Sequence, residues 1–146
     1  GTPTHDSPLT ECVKSFKMKQ LFKPGDTKEY RSVVRTEDVA AFQGVVVHAV
    51  CSTFALARDI EWTTRQFVLA MLADDEEGIG TYLEIEHIGP AFVGEEIVFQ
   101  GAFYKLTGNH LVCTFEARVD DRIIARGKTG QKILKLDKIK LLFNHG

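Results

Sequence analysis

The sequence predicts an α+β domain in which one long helix is followed by an antiparallel meander. Three observations carry this. Residues 51–73, CSTFALARDIEWTTRQFVLAMLA, form a 23-residue run without Gly or Pro, long enough for a helix of about six turns. Ile79 to Ile88 then alternates with period two, the mark of a strand with two different faces. Beyond it lie three more strand-like segments joined by short polar turns. A helix and a sheet each need an apolar partner, so the economical arrangement is a curved sheet wrapped around the helix.

Taken in order, residues 1–12 open with GTPTHDSPLTE, two of the four prolines among small polar residues, and read as a loose N-terminal segment. Gly1, with no apolar stretch after it, reads as a cloning scar. Val13 to Phe22 and Lys28 to Arg35 are strand candidates separated by Lys23-Pro24-Gly25-Asp26, a turn signal that would pair them as a hairpin. Thr36 stands as an N-cap before Glu37 and Asp38, and Gly44 with the apolar VVVHAV approaches the long helix.

Within that helix, Phe54, Ala57, Glu61, Thr64, Val68 and Met71 share one stripe at spacings of three and four. Glu61 interrupts it. Such a carboxylate either sits at the edge of the face with its head in water, or is buried and then needs a partner. In the following strand Thr81, Leu83, Ile85 and His87 fall on one face and Tyr82, Glu84 and Glu86 on the other. This turns His87, a side chain that titrates near neutrality, toward the core. The remaining strands are Glu95 to Leu106, His110 to Val119 and Arg122 to Lys135, with Phe99, Phe103, Phe115, Ala117 and Val119 inward. The tail KLDKIKLLFNHG carries no assigned role. An open sheet leaves an edge, and pairing with a second copy hides it, so a homodimer is expected.

The 146 residues fit a single domain, 1–146. At 44% hydrophobic and 26% charged the composition is that of a globular protein, and apolar runs such as Val45 to Val47 are far too short for a bilayer. A net charge of −2 gives no general attraction for nucleic acid. Cys12, Cys51 and Cys113 lack metal-ligand spacing, as do His5, His48, His87, His110 and His145, so no metal is expected. Reduced thiols and the absence of an apolar leader point to the cytoplasm.

The order of elements resembles the hotdog fold. More narrowly, CSTFALARDIEW and GIGTYLEIEHIGPAFVGEEI resemble segments of the fluoroacetyl-CoA thioesterase-like group of that fold. That group uses Thr, Glu and His, the Thr eight positions before the Glu and the His 26 after it. Thr53, Glu61 and His87 stand at those separations, and Glu61-Trp62 and Gly80-Thr81 also match. The likeness runs from about Phe42 to about Leu136.

The resemblance implies hydrolysis of an acyl-CoA to the free acid and coenzyme A, with coenzyme A as part of the substrate and no further cofactor. Glu61 would attack the carbonyl or act as base for water, His87 would activate water or protonate the leaving thiolate, and Thr53 would position Glu61 or the carbonyl. Gly80 would let a backbone amide approach the acyl group, with Thr81 and Phe42 beside it. The family's fluoroacetyl-specific member has lid phenylalanines where this chain has Gly44 and Val47, so the resemblance extends to the chemistry and not to that acyl group. Arg126, Lys128 and Lys132 lie on one face of the last strand, near enough for Arg118 on its neighbour to join, and could clamp the nucleotide phosphates. Two other readings use the same fold: a dehydratase acting on a hydroxyacyl thioester, and a non-catalytic binder of acyl-CoA or a small lipid.

Overall fold

A computed structural model of the chain describes residues 18–42 and 45–144. Strand β1 (Thr27–Val33) is followed by a 3-10 turn, Thr36–Asp38, and a small hairpin of β2 (Val39–Phe42) and β3 (Val45–Cys51). Then come helix α1 (Thr53–Met71), strands β4 (Glu76–His87), β5 (Glu96–Thr107), β6 (His110–Val119) and β7 (Arg122–Lys135), and helix α2 (Leu136–Asn144). The main sheet is antiparallel, with strand order β1-β5-β6-β7-β4. Helix α1 touches all five of its strands. The long helix packed on an antiparallel meander is the expected architecture.

Several expectations are corrected. Strand β1 pairs with β5, Thr27 to Val33 against Ala102 to Glu96, rather than in a hairpin with the segment before it. Of that segment, residues 13–17 lie outside the described residues, and Met18 to Lys23 is not a strand. The approach to α1 is itself a strand, and Cys51 belongs to it rather than to the helix. Strand β4 begins at Glu76, three residues before the expected Ile79. The tail folds as α2, anchored by buried Ile139.

The buried face of α1 consists of Ala55, Leu56, Asp59, Ile60, Thr63, Thr64, Phe67, Val68 and Met71. Its first half packs with Ile97, Phe99, Phe115, Ala117, Ile124 and Ala125. Its second half packs with Met18, Phe103, Leu111, Cys113 and Ile133. Burying Leu56, Ile60, Phe67 and Val68, each fully enclosed, contributes roughly 1.5–3 kcal/mol per side chain relative to exposure. Thr63 and Thr64 sit between the two clusters and donate their hydroxyls to the carbonyls of Asp59 (2.6 Å) and Ile60 (3.3 Å), so no buried hydroxyl there lacks a partner.

Thr64, Val68 and Met71 of the expected stripe are buried, whereas Phe54 is 81% exposed and Glu61 is exposed as well. Glu61 and Val68 are seven residues apart and point almost the same way from the helix axis. They differ because a twisted sheet does not present one line of strands to a straight helix, and the covered arc moves round the helix along its length. Glu61 therefore needs no buried partner.

The start of α1 is fixed by charge. Buried Asp38 accepts from the Arg35 backbone N–H (3.0 Å) and from the Arg58 guanidinium (3.2 Å), while its carbonyl accepts from the Ser52 N–H (2.7 Å). Burial pushes the Asp38 carboxyl up, but the Arg35 amide and the Arg35 and Arg58 guanidiniums outweigh it and hold the group below the usual carboxylate range. A depressed folded-state pKa stabilises the fold above the unfolded value and ceases to do so as pH falls through the folded one. Urea titrations should therefore show this contribution intact above about pH 4 and fading below it. Asp38→Asn should lower stability by about 1–3 kcal/mol at neutral pH, measured in the same titrations.

Candidate active site

Helix α1 and strand β4 meet at two places along their shared border. At the first, Thr53 Oγ1 lies 3.1 Å from His87 Nδ1. Thr53 is free for this contact because its neighbour does the capping: Ser52 Oγ accepts from the Ala55 N–H at 3.0 Å. The ring nitrogen engaged is Nδ1, so when it donates to the Thr53 hydroxyl the opposite nitrogen, Nε2, keeps a lone pair able to take a proton. His87 is exposed at the border although its paired residue Ala125 is fully buried. Reactive group and water are thus both within reach.

At the second place the Glu61 carboxylate overhangs Gly80. A Cβ built on Gly80 would lie 3.5 and 3.7 Å from the two carboxylate oxygens. Those are ordinary contact distances, so the acid stands just beyond the strand backbone at Gly80. Eight residues of helix separate Glu61 from Thr53, roughly 12 Å along the axis. Glu61 with Gly80 and Thr53 with His87 are therefore two pairs that flank a shared surface rather than one touching triad. An open hollow of about 560 Å³ begins there, lined by Phe54, Ala57, Arg58, Glu61, Trp62, Arg65 and Leu83. A larger one, about 700 Å³, lies on the far face of the sheet among Glu84, Glu86, Thr114, Arg126 and Lys128. It holds neither Glu61 nor any residue of α1, so the smaller hollow, which Glu61 lines, is the candidate.

A nucleophile or base, a histidine held by a hydroxyl, and a bare backbone beside the acid suit attack on a carbonyl. Comparison with known families agrees. The model of the fluoroacetyl-CoA-specific thioesterases matches residues 34–137, most of the chain. The chain belongs to the fluoroacetyl-CoA-specific thioesterase family. As a member it is a thioester hydrolase, an acyl-CoA thioesterase of the hotdog fold.

Among solved structures, a hypothetical protein of Thermus thermophilus from the thioesterase superfamily is 29% identical, with a TM-score of 0.82 over 87% of this chain and 94% of that one. A fluoroacetyl-CoA thioesterase mutant in complex with fluoroacetate is 15% identical, with a TM-score of 0.77 over 85% and 98%. A hot-dog-like protein from Thermanaerovibrio acidaminovorans is 17% identical, with a TM-score of 0.79 over 86% and 93%. The last two speak for the fold alone. A comparison with curated proteins gave no match.

The thioesterase departs from the sequence reading at Thr81. Gly80 pairs with Gln131 and Tyr82 with Gly130, which leaves Thr81 as an unpaired extra residue in a β-bulge. Its hydroxyl lies 3.0 Å from His110 Nε2, on the sheet face away from α1, so its side chain is not beside Glu61. Phe42 ends β2, and its side chain, like those of residues 45–48, lies outside the described ones.

Arg126, Lys128 and Lys132 also stand on the far face, where Arg126 is paired with Glu86 at 2.8 Å, and Arg118 is paired with Glu116. They do not border the hollow. Arg58 and Arg65, which do, were not singled out in the sequence, since i−3 and i+4 neighbours of a helical Glu are ordinary ion-pair positions. Both are engaged elsewhere, Arg58 with Asp38 and Asp59 and Arg65 with Glu77. Cys51 and Cys113 are free and buried, and burial raises their thiols to about 11 and about 12, too high for either to act as a nucleophile at neutral pH.

The division of labour at the helix start has a measurable consequence. Ser52→Ala should destabilise the fold by about 1 kcal/mol through the lost cap. Thr53→Val, which removes only the bond to an exposed imidazole, should stay within about 0.5 kcal/mol of wild type in the same urea titration.

Proposed function

We propose that the chain hydrolyses small acyl-CoAs through Glu61, His87 and Thr53. The observation that carries this reading is the Thr53–His87 contact on the same α1–β4 border that carries the Glu61 carboxylate. In the first step a Glu61 oxygen attacks the thioester carbonyl. The C–S bond breaks, and the coenzyme A thiolate takes a proton from the His87 imidazolium, directly or through one water. The product is an acyl-glutamyl anhydride. In the second step His87, now neutral, takes a proton from water as that water attacks the anhydride, which releases the free acid and restores the Glu61 carboxylate. Thr53 holds the imidazole at the α1–β4 border throughout, and the backbone around Gly80 offers polar groups to the oxyanion.

The working unit in this proposal is a homodimer. Strand β4 is the last in the sheet order, so one edge of a 12-residue strand has no partner within the described chain. Beside it stand Phe54 and Trp62, large apolar side chains exposed on α1 that share a hollow with Leu83 of β4. Antiparallel pairing of two β4 strands about a two-fold axis would satisfy that edge and cover this flank. Buried free thiols at Cys51 and Cys113 suit a reducing compartment such as the cytoplasm. No helix among the described residues is long and apolar enough to cross a membrane.

Release of free coenzyme A from short, branched and aromatic acyl-CoAs tests the chemistry. Glu61→Ala should lower kcat by about a thousandfold or more and His87→Ala by about a hundredfold to ten-thousandfold. Because both side chains are exposed, folding stability should change by less than about 0.5 kcal/mol in either variant. Full activity in Glu61→Ala would sink the assignment, and an enoyl thioester in place of free thiol would make the chain a dehydratase. For assembly, light scattering should give twice the chain mass, with Trp62→Asp shifting it toward the monomer.

A further inference from the structure

Gly80 and His87 are seven positions apart in one strand. In an unbroken strand, residues an odd number apart point to opposite faces. Both nevertheless face α1, Gly80 beneath Glu61 and His87 against Thr53, with Leu83 and Ile85 between them packed on the core. The bulge resolves this. With Thr81 taken out of the pairing, six paired steps remain between Gly80 and His87, and an even number restores the common face. Were the bulge to close, either the acid's glycine or the histidine would turn away from the helix.

What holds the bulge lies on the far side of the sheet. Thr81 Oγ1 and His110 Nε2 are 3.0 Å apart, and the Tyr82 ring meets the His110 imidazole edge-on with centroids 6.3 Å apart. His110 belongs to β6, and β7 runs between it and β4. The contact therefore crosses a strand, over Gly130. A Cβ at Gly130 would lie 2.4 Å from two Tyr82 ring carbons and 2.7 Å from Thr81 Oγ1. That position carries no side chain, and the lane it leaves open is filled by the two residues of the bulge.

We propose that His110 is a positioning residue of the thioesterase site: through Thr81 it holds the bulge that turns Gly80 and His87 to the same face. It touches no reacting atom itself. The inference rests on the reading of Glu61 and His87 as the reacting groups.

The test compares His110→Phe, which keeps a ring and loses both nitrogens, with His110→Gln, whose amide nitrogen reaches the place of Nε2, and with Thr81→Val and the double variant T81V/H110F. Acyl-CoA hydrolysis and amide hydrogen exchange across residues 76–87 are followed in each. His110→Phe and Thr81→Val should each lower kcat by about 10- to 100-fold with KM changed less than about twofold, since misplacement rather than lost binding is the defect. The double variant should be no slower than the slower single, because both remove one interaction, and His110→Gln should recover most of the rate. Exchange at Gly80 to Leu83 should quicken in His110→Phe and Thr81→Val. Wild-type kcat in His110→Phe, or losses that multiply in the double variant, would overturn the proposal. If wild type releases no thiol from any acyl-CoA, the hydrolase reading has failed on its own. The exchange arm still decides the latch, quickened exchange supporting it and unchanged exchange refuting it.

Discussion

The packing of α1 across all five strands is the constraint on which the rest depends. Its buried arc is fixed by Leu56, Ile60, Phe67, Val68 and Met71, and those contacts leave little freedom to rotate the helix. The arc decides where every other residue of the helix must point. Glu61 falls on the flank that looks along β4, an edge strand of the sheet that the helix packs against. Turning it inward would strand an ionised carboxylate among aliphatic side chains at a cost of several kcal/mol. The flank avoids that cost and still keeps the acid near the strand backbone at Gly80.

A second constraint follows from mixing periods. The helix repeats every 3.6 residues and the strand every two, so a site assembled from one of each needs the two counts to agree at both ends. Thr53 and Glu61 set the interval on the helix, and Gly80 and His87 must match it from the strand. The bulge at Thr81 is the local adjustment that brings Gly80 and His87 to the same face of the strand. It also explains why the far face, which holds no reacting group, bears on the chemistry. His110, Tyr82 and Gly130 are packed for the sake of a residue that has left the ladder.

How much of this was legible depends on what each signal measures. The helix, the strands after it and their inward aromatics followed from periodicity, since Phe99, Phe103, Phe115, Ala117 and Val119 are all buried. Thr53 and His87 were singled out through a family spacing, which gave their separation in the sequence but not that the Thr53 hydroxyl would meet the His87 ring rather than Glu61. Three things were hidden. Strand β1's partner was one, because a Pro-Gly turn says that the chain reverses and not which strand it will meet. The exposure of Glu61 was another, because a stripe of fixed azimuth ignores sheet twist. The bulge was the third. A perfect period-two reading of Thr81, Leu83, Ile85 and His87 concealed an extra residue, and the only trace of it was that Gly80 and His87, both wanted for one site, stood an odd number apart.

Exposure of the acid and the histidine in one chain bears on how such a site would reach its full strength. In water a carboxylate is screened, and its attack must first shed solvent, whereas an enclosed site replaces that solvent with fixed dipoles. Along β4 the described residues supply no enclosing surface: among them the strand edge has no partner, and Phe54 and Trp62 face outward. Under the proposed dimer the same event that satisfies the edge also dries the flank, so assembly and catalytic competence are one requirement rather than two. The bulge enters here as well. It lies on the edge strand itself, and a bulged edge pairs in few registers. A latch that holds Thr81 out of the ladder thus fixes which face His87 takes and also limits how a second β4 can approach it.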